Sequence, residues 1–250
     1  MSKPTTEIYR ILDRLVWVAL ALVAAIVLLA AISGCGGTSD LGCYLERNSS
    51  TMKIVNGEVS VDRRAAVQVR INGAWCTGTV LGPNTVLTAE HCLDEGVDVA
   101  DVSIRLIQED LAWPAADFEL HPSVDIAVVH VADTIPGPYA QLWNGEACYP
   151  DLIAQGYGQT ESGYKRDTLH ERTVRVVRAE EWGLFVSEAI CFGDSGSSLY
   201  VDVGGTDDLY VVGVASKVRN QTCTAEFARG GTSFFANTVT EIDWIEERIF

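Results

Sequence analysis

The chain has 250 residues, which is enough for one large or two small domains with a buried core. Hydrophobic residues make up 48% and charged residues 21% of it, a balance that is typical of folded proteins and excludes a disordered chain. Acidic side chains number 34 against 18 basic ones, so the formal net charge is -16. Because phosphate binding needs a basic surface, this charge excludes nucleic acid as an expected partner.

The N-terminal segment has the pattern of an export signal. Three basic residues precede an uncharged apolar stretch, residues 15–32. A basic segment followed by an apolar one is typical of a signal peptide, so residues 1–34 are predicted to be a membrane-targeting segment outside the folded domain. The apolar stretch is also just long enough to cross a bilayer as a helix.

The apolar stretch ends in Ile32-Ser33-Gly34-Cys35, which resembles the bacterial lipobox. The resemblance implies cleavage before Cys35 and acylation of that cysteine, so that membrane lipid becomes a partner through the N-terminus. Residues 35–53 then form a lipidated tether and propeptide, and the folded part is exported and anchored to the bacterial cell envelope, as an outer-membrane or surface lipoprotein. The alternatives are a signal-anchor helix that stays in the membrane, and a secreted protein.

The rest of the chain reads as short strands. The segment Val102-Ser103-Ile104-Arg105-Leu106 alternates apolar and polar side chains with a period of two, and turn residues such as Asn72-Gly73 separate such segments. This pattern indicates an all-β barrel or sandwich. The C-terminus differs, because three isoleucines within residues 240–250 follow helical spacing and predict a terminal amphipathic helix.

Three segments carry residue types suited to amide hydrolysis. Ser195 lies between glycines in Cys191-Phe192-Gly193-Asp194-Ser195-Gly196-Ser197-Ser198-Leu199, where a tight turn would leave backbone N–H groups free to face an oxyanion. Turn residues of this kind also fit an ordinary surface turn. His91 lies in Thr88-Ala89-Glu90-His91-Cys92, and Asp125 lies in His121-Pro122-Ser123-Val124-Asp125-Ile126-Ala127-Val128-Val129.

In their order along the chain, these segments resemble the TAAHC, DIAL and GDSGG signatures of the trypsin/chymotrypsin-like serine proteases. Ile54-Val55-Asn56-Gly57 resembles the activated N-terminus of that family, and Asp243-Trp244-Ile245 resembles the start of its C-terminal helix. The resemblance covers about residues 54–250. It implies an all-β, chymotrypsin-like fold of two antiparallel six-stranded β-barrels, at about 54–140 and 141–238, followed by a helix at 240–250.

The resemblance also implies a serine endopeptidase that hydrolyses polypeptide substrates through an acyl-enzyme intermediate. Ser195 is the expected nucleophile, His91 the base, and Asp125 the carboxylate that orients the histidine. Ser216 matches the family serine that hydrogen-bonds this aspartate. The backbone N–H groups of Gly193 and Ser195 are the expected oxyanion hole. The alternative is a catalytically silent envelope protein that uses the same fold for binding.

By the same resemblance, cleavage between Lys53 and Ile54 by a separate activating protease frees an ammonium that pairs with Asp194. The chain is therefore expected to be a zymogen. Three disulfides are implied, which account with the lipidated Cys35 for all seven cysteines: Cys76–Cys92, Cys191–Cys223 and Cys43–Cys148. The last of these would keep the cut enzyme joined to its lipid.

Four positions match the primary specificity pocket of the family. Ala189 stands where trypsin-like members have an aspartate, and Val218 stands where many members have glycine. Ser216 and Gly231 match the remaining pocket positions. A narrowed pocket without a carboxylate implies a preference for small or medium aliphatic residues before the scissile bond. No Cys/His spacing resembles a zinc site and no glycine loop a phosphate cradle, so neither a metal nor a cofactor is expected.

Overall fold

The structure is a computed structural model that describes residues 58–60, 65–94, 96–145, 152–160, 163–164, 167–187, 190–201, 210–218 and 232–249. Several predictions from the sequence concern positions outside these residues: the signal segment 1–34, Cys35, Cys43, Lys53, Ile54, Cys148, Ala189, Cys223 and Gly231. The predicted domain boundaries stay predictions for the same reason. No helix in the described part of the chain is both long and apolar enough to cross a membrane.

The described residues form strands, three short 3-10 turns and one helix. The strands are β1 (Glu58–Val59), β2 (Ala66–Ile71), β3 (Ala74–Gly82), β4 (Thr85–Thr88), β5 (Val102–Leu106), β6 (Leu111–Leu120), β7 (Ala127–Val131), β8 (Gln141–Leu142), β9 (Leu152–Gly156), β10 (Gln159–Thr160), β11 (Gly163–Tyr164), β12 (His170–Val174), β13 (Val176–Glu180), β14 (Gly183–Ser187), β15 (Ser198–Val201), β16 (Tyr210–Val218) and β17 (Thr232–Asn237). The 3-10 turns are Glu90–Cys92, Val99–Asp101 and Ile107–Glu109, and the helix, α1, is Ile242–Glu246.

The first barrel is closed by six antiparallel strands in the order β2-β3-β4-β7-β6-β5. Its interior follows from the alternation in the sequence: in β5, Val102, Ile104 and Leu106 are buried, whereas Ser103 and Arg105 are half-exposed. Burying one face of each strand removes apolar area from water, which is the main favourable term in folding such a barrel. This part of the predicted architecture is confirmed.

Strand β2 departs from that alternation. Gln68 lies between two buried valines, yet it is as fully buried as they are. The outer face of β2 is covered, because Ala66 packs against Tyr157 and Leu169 of the second half of the chain.

The strands of the second half of the chain form a sheet with β1, which precedes the first barrel, in the order β1-β12-β9-β15-β16-β17-β14-β13, with β8 parallel to β16. Only Arg175 separates β12 from β13, so one continuous segment pairs with β9 through its first half and with β14 through its second. Backbone hydrogen bonding from Ser187 N–H to the Arg175 carbonyl holds the crossing point at 2.9 Å. Among the described residues this nine-stranded sheet is a half-barrel and not the closed six-stranded barrel that was predicted, because no described pairing joins its edge strands β1 and β13. The architecture as a whole is consistent with the expected chymotrypsin-like fold.

The two halves are joined by a shared apolar cluster and a buried polar contact, and the second half has a further apolar core of its own. Tyr200, Val211 and Val214 of the second half pack in the same hydrophobic cluster as the strands of the first barrel. Thr79 of β3 is hydrogen-bonded to Ser198 at 2.5 Å, between two side chains that solvent does not reach. The predicted catalytic residues lie in segments next to strands of both halves: His91 follows β4, Asp125 precedes β7 and Ser195 precedes β15.

The predicted C-terminal helix is present but shorter than the predicted span, 240–250. Regular helix covers Ile242–Glu246, and the last turn tightens, with the Arg248 and Ile249 amides bonded to carbonyls three residues earlier. Ile245 is fully buried and holds this helix on the core of the first barrel.

Candidate active site

His91 is held at the end of β4 by a tight turn. The strand ends at Thr88, Ala89 remains extended, and residues Glu90–Cys92 form a single 3-10 turn. Cys92 is bonded to Cys76 of β3, so the turn is covalently fastened to the neighbouring strand. The predicted Cys76–Cys92 disulfide is confirmed. The His91 side chain remains 39% exposed, which leaves one edge of the imidazole open to a substrate.

Asp125 lies beside His91, in the loop between β6 and β7. Its carboxylate accepts a hydrogen bond from the His91 amide at 2.9 Å, and His91 Nδ1 lies 2.8 Å from Oδ2. The Ser216 hydroxyl donates to the same Oδ2 from β16. Burial alone would raise the pKa of Asp125, but the hydrogen bonds from His91 and Ser216 outweigh it and lower the pKa. Asp125 is therefore ionised at neutral pH.

This arrangement fixes the proton on the His91 ring. An ionised carboxylate only accepts hydrogen bonds, so the Nδ1 atom facing Asp125 carries the hydrogen in the neutral imidazole. The other ring nitrogen, Nε2, then has a free lone pair. His91 is consequently oriented to accept a proton at Nε2, and the imidazolium that results would lie beside a negative charge.

His121 shapes the loop that contains Asp125, a role that its position before a proline did not indicate. Its Nδ1 accepts hydrogen bonds from the Ser123 and Val124 amides at 3.3 and 3.0 Å. Its Nε2 lies 3.0 Å from a carboxylate oxygen of Glu241, and its ring packs edge-on against Trp244. The loop is thus folded around one buried ring and fastened to the C-terminal helix.

In the loop before Ser195, the carbonyl groups of three successive residues are all hydrogen-bonded. Phe192 C=O accepts from the Gln159 amide at 2.8 Å, Gly193 C=O from the Thr77 hydroxyl at 2.8 Å, and Asp194 C=O from the Ser197 amide at 2.8 Å. Gly193 has φ +93°, a conformation that residues with a side chain rarely adopt.

The amides of Gly193 and Ser195 have no acceptor among the described residues. Each belongs to a peptide unit whose carbonyl is bonded elsewhere, and planarity of the unit directs the N–H to the opposite side. Two such donors on one loop can bind an oxyanion.

Close backbone packing brings the Ser195 loop against the His91 turn. The Ser195 carbonyl accepts from the Thr77 amide at 2.8 Å, beside the cysteine that is bonded to Cys92. Gly196 lies so close to Thr88 and Ala89 that a Cβ at this position would collide with both. Ser195 and His91 share no hydrogen bond in this structure, a contact that in hydrolases often tightens only when substrate is bound.

Asp194 is completely buried behind this loop. Its two carboxylate oxygens accept from the Gly158 amide at 2.7 Å and the Cys191 amide at 2.9 Å. Burial raises the pKa of Asp194 to about 7, against the lowering effect of these two amides. No cationic side chain of the described residues faces it. Cys191 is itself disulfide-bonded, and its predicted partner Cys223 lies outside the described residues.

Part of the predicted specificity pocket is described. Val218 is half-buried at the end of β16 and pairs with Ser233 of β17. The Ser233 hydroxyl accepts from the Ile190 amide at 3.1 Å, which fastens the end of the sheet to the segment that follows Ala189. Phe192 is 48% exposed beside the oxyanion loop. Within the described residues, no group of three or more acidic, histidine or cysteine side chains could hold a metal ion.

Comparison with known proteins adds independent information. A putative peptidase of Corynebacterium glutamicum is 26% identical over 155 residues, which cover 54% of this chain and 53% of that protein. An uncharacterized peptidase of another strain of that bacterium is 24% identical over 159 residues, with the same coverage. The chain thus spans about half the length of these two bacterial relatives. Chymotrypsin-like elastase family member 1 of Macaca fascicularis is 26% identical over 241 residues, which cover 77% of this chain and 86% of that protein.

The family described as Trypsin matches residues 54–245, well over half of the chain and all of the segments described above. The chain therefore belongs to the trypsin family of serine peptidases.

Proposed function

We propose that this chain is a serine endopeptidase in which Ser195, His91 and Asp125 form the catalytic triad. The observation that carries the proposal is the hydrogen-bonded series from Ser216 through Asp125 to His91, next to a loop with two amides free for an oxyanion. Each member of this set supplies one requirement of acyl transfer: an oriented base, a nucleophile, and donors for developing negative charge.

We propose the following reaction. Ser195 Oγ attacks the scissile carbonyl carbon while its proton passes to His91 Nε2, and Asp125 stabilises the imidazolium. The carbonyl oxygen becomes an oxyanion that accepts from Gly193 N–H and Ser195 N–H. His91 then returns the proton to the departing amine, which leaves an ester on Ser195. Water, deprotonated by His91, hydrolyses that ester and restores the enzyme.

The first prediction is that the protein cut after Lys53 reacts with a serine-directed fluorophosphonate and hydrolyses peptides. Ser195→Ala should abolish labelling and lower kcat/KM by at least about 10⁴-fold, because the nucleophile is lost. Mass spectrometry of the labelled peptide identifies the modified residue. The matched control is Ser198→Ala, a serine three residues further on that solvent does not reach. A cut, folded protein that takes no label would favour the silent binding protein instead.

We also propose that the chain is a zymogen activated by cleavage between Lys53 and Ile54. Two features of the described residues support this. Val59 pairs with His170, and His170 pairs with Gly156, which abuts Asp194. Two strand spacings separate Val59 from Gly156 by about 10 Å, and five extended residues span about 17 Å. A new N-terminus at Ile54 can therefore reach the buried carboxylate.

The second feature is that the Asp194 carboxylate pairs with no cationic side chain among the residues that the structure describes. A buried carboxylate without a positive partner is costly to ionise, whereas an inserted ammonium would remove that cost. Cleavage would thus convert Asp194 from a carboxyl that is costly to ionise into one half of an ion pair. This ion pair would stabilise the conformation of the loop that contains Gly193.

The second prediction concerns pH. In the uncut protein Asp194 binds its proton with a folded pKa of about 7 and an unfolded value near 3.8. The folded state therefore holds more protons between these values, so the free energy of unfolding should fall as pH rises from about 4 to 7. After cleavage, pairing with the Ile54 ammonium should abolish this fall. Urea unfolding of uncut and cut protein at both pH values measures it.

Asp194→Asn isolates the group, because the amide fills the same space but does not titrate. From pH 4 to 7 the free energy of unfolding of the uncut wild type should fall relative to that of Asp194→Asn. The comparison uses this change with pH, because the Asn NH2 group cannot accept from one of the two amides and this mismatch adds a constant offset. Parallel pH profiles of the two uncut proteins would rule out the unpaired carboxylate, and with it the basis of the switch.

We further propose that the pocket accepts small or medium aliphatic residues before the scissile bond. Val218, which lies at the end of β16, is expected to narrow the pocket. Ala189 stands where trypsin-like members have an aspartate, so the pocket is expected to offer no carboxylate to a Lys or Arg side chain.

The third prediction is that peptides with Ala or Val before the scissile bond are cleaved faster than those with Lys or Arg. Val218→Gly should raise kcat/KM for a Phe substrate at least about tenfold relative to an Ala substrate, since removing apolar bulk enlarges the pocket. Preferential cleavage after Lys or Arg would contradict this assignment.

We also propose that the chain is anchored to a bacterial envelope through a lipidated Cys35, on the basis of the lipobox resemblance.

The fourth prediction is that the full-length protein incorporates labelled fatty acid and that Cys35→Ala loses the label. Cys43→Ala serves as the control, because Cys43 lies eight residues after Cys35, outside the lipobox, and should not affect acylation. Membrane fractionation without a fatty-acid label in the wild type would instead indicate a signal-anchor helix.

A further inference from the structure

Thr77 of β3 is a buried residue with four hydrogen bonds to the segments around the proposed site. Its hydroxyl donates to the Gly193 carbonyl at 2.8 Å and accepts from the Tyr157 amide at 3.1 Å. Its amide donates to the Ser195 carbonyl at 2.8 Å, and its carbonyl accepts from the Thr88 hydroxyl at 2.9 Å. The side chain is inaccessible to solvent.

The hydroxyl bonds the central peptide unit of the oxyanion loop. Three successive units connect Phe192 to Ser195; the outer two contain the amides of Gly193 and Ser195. Their carbonyls are bonded to Gln159 N–H and Ser197 N–H, both in the second half of the chain. The central carbonyl, that of Gly193, is bonded to Thr77 in the first barrel. The amide of this central unit, that of Asp194, donates to the Cys191 carbonyl at 3.0 Å. The central unit shares the Cα atoms of Gly193 and Asp194 with the two outer units, so a displacement of the central unit also shifts the atoms that carry both donor amides.

The same hydroxyl joins two segments that Asp194 also joins. Asp194 accepts from the Gly158 amide, and the Thr77 hydroxyl accepts from the amide of the preceding residue, Tyr157. The oxyanion loop is therefore fastened to residues 157–159 through the Asp194 carboxylate, which titrates, and through the neutral Thr77 hydroxyl, in addition to the backbone hydrogen bond from Gln159 to Phe192. The attachment through Thr77 does not depend on cleavage after Lys53.

We infer that Thr77 is a positioning residue for the oxyanion hole: its hydroxyl orients the Gly193–Asp194 peptide unit and thereby both donor amides. The inference rests on the proposed function. A purely structural role, in which the hydroxyl merely satisfies two buried backbone groups, predicts lower stability with unchanged turnover. A positioning role predicts a specific loss of transition-state stabilisation.

The test compares Thr77→Val, which has nearly the same shape without the hydroxyl, with Thr77→Ser, which retains it. Thr77→Val should lower kcat about tenfold, the effect of losing one hydrogen bond of ordinary strength, while KM changes less than twofold. The inhibition constant of a peptide boronate, which mimics the tetrahedral oxyanion, should rise by the same factor. Thr77→Ser, which keeps the hydroxyl, should have a kcat and a boronate inhibition constant close to those of the wild type.

Thr79→Val is the matched control. Thr79 lies two residues further along β3, is equally buried, and bonds its hydroxyl to Ser198 and Tyr200 rather than to the oxyanion loop. It should lose comparable stability in urea unfolding, yet retain wild-type kcat and boronate affinity. If Thr77→Val does not fold, Thr77→Ala removes the hydroxyl without filling its place and should show the same two kinetic effects.

The outcomes separate the two ideas. A wild type that does not react with fluorophosphonate after cleavage overturns the proposed function, whatever Thr77 does. An active wild type whose Thr77→Val variant keeps kcat and boronate affinity within twofold overturns the positioning role alone. Equal kinetic losses in Thr77→Val and Thr79→Val would also overturn it, because they would show a general effect of β3 hydroxyl groups.

Discussion

The ionised carboxylate of Asp125 is the group on which the rest of the proposed site depends. A carboxylate that is mostly withdrawn from water stays charged only when donors surround it, and here the donors come from segments that are far apart in the chain. His91 supplies its amide and ring from the turn after β4, and Ser216 supplies its hydroxyl from β16. The charge of Asp125, the orientation of the imidazole and the contact between the first barrel and the second sheet therefore depend on the same hydrogen bonds.

The pKa values of Asp125 and Asp194 are shifted in opposite directions, and their contacts explain why. Asp125 has a partly exposed carboxylate and a histidine beside it, and its pKa is lowered. Asp194 is completely buried, and the donors that it meets among the described residues are two backbone amides; burial outweighs them and raises its pKa. Burial, set against the number and charge of the donors, therefore decides whether each carboxylate is charged at neutral pH.

Much of the fold was predictable because it depends on local pattern. The alternation in β5 identifies the inward face of the first barrel. The disulfide Cys76–Cys92 was implied by the family resemblance and is present in the structure. Contacts between distant segments were not predictable in the same way. Gln68 looks like an outward-facing polar residue, yet Tyr157 and Leu169, nearly a hundred residues away, belong to a cluster that covers its strand.

The candidate site shows the same division. Motifs identified His91, Asp125 and Ser195, but nothing near Thr77 in the sequence announces a hydroxyl that contacts Gly193, more than a hundred residues later. His121 reads as an ordinary loop residue until its ring is seen to organise the Asp125 loop. The predicted terminal helix was too long because isoleucine spacing does not reveal where the last turn tightens.

Gly156 and Gly158 flank Tyr157 and face Asp194 so closely that a Cβ at either position would overlap its carboxylate. Space for the buried carboxylate thus depends on the absence of a side chain at both positions. Alanine at either one would have to displace the carboxylate or the backbone, and either movement would disturb the segment that carries Gly193 and Ser195.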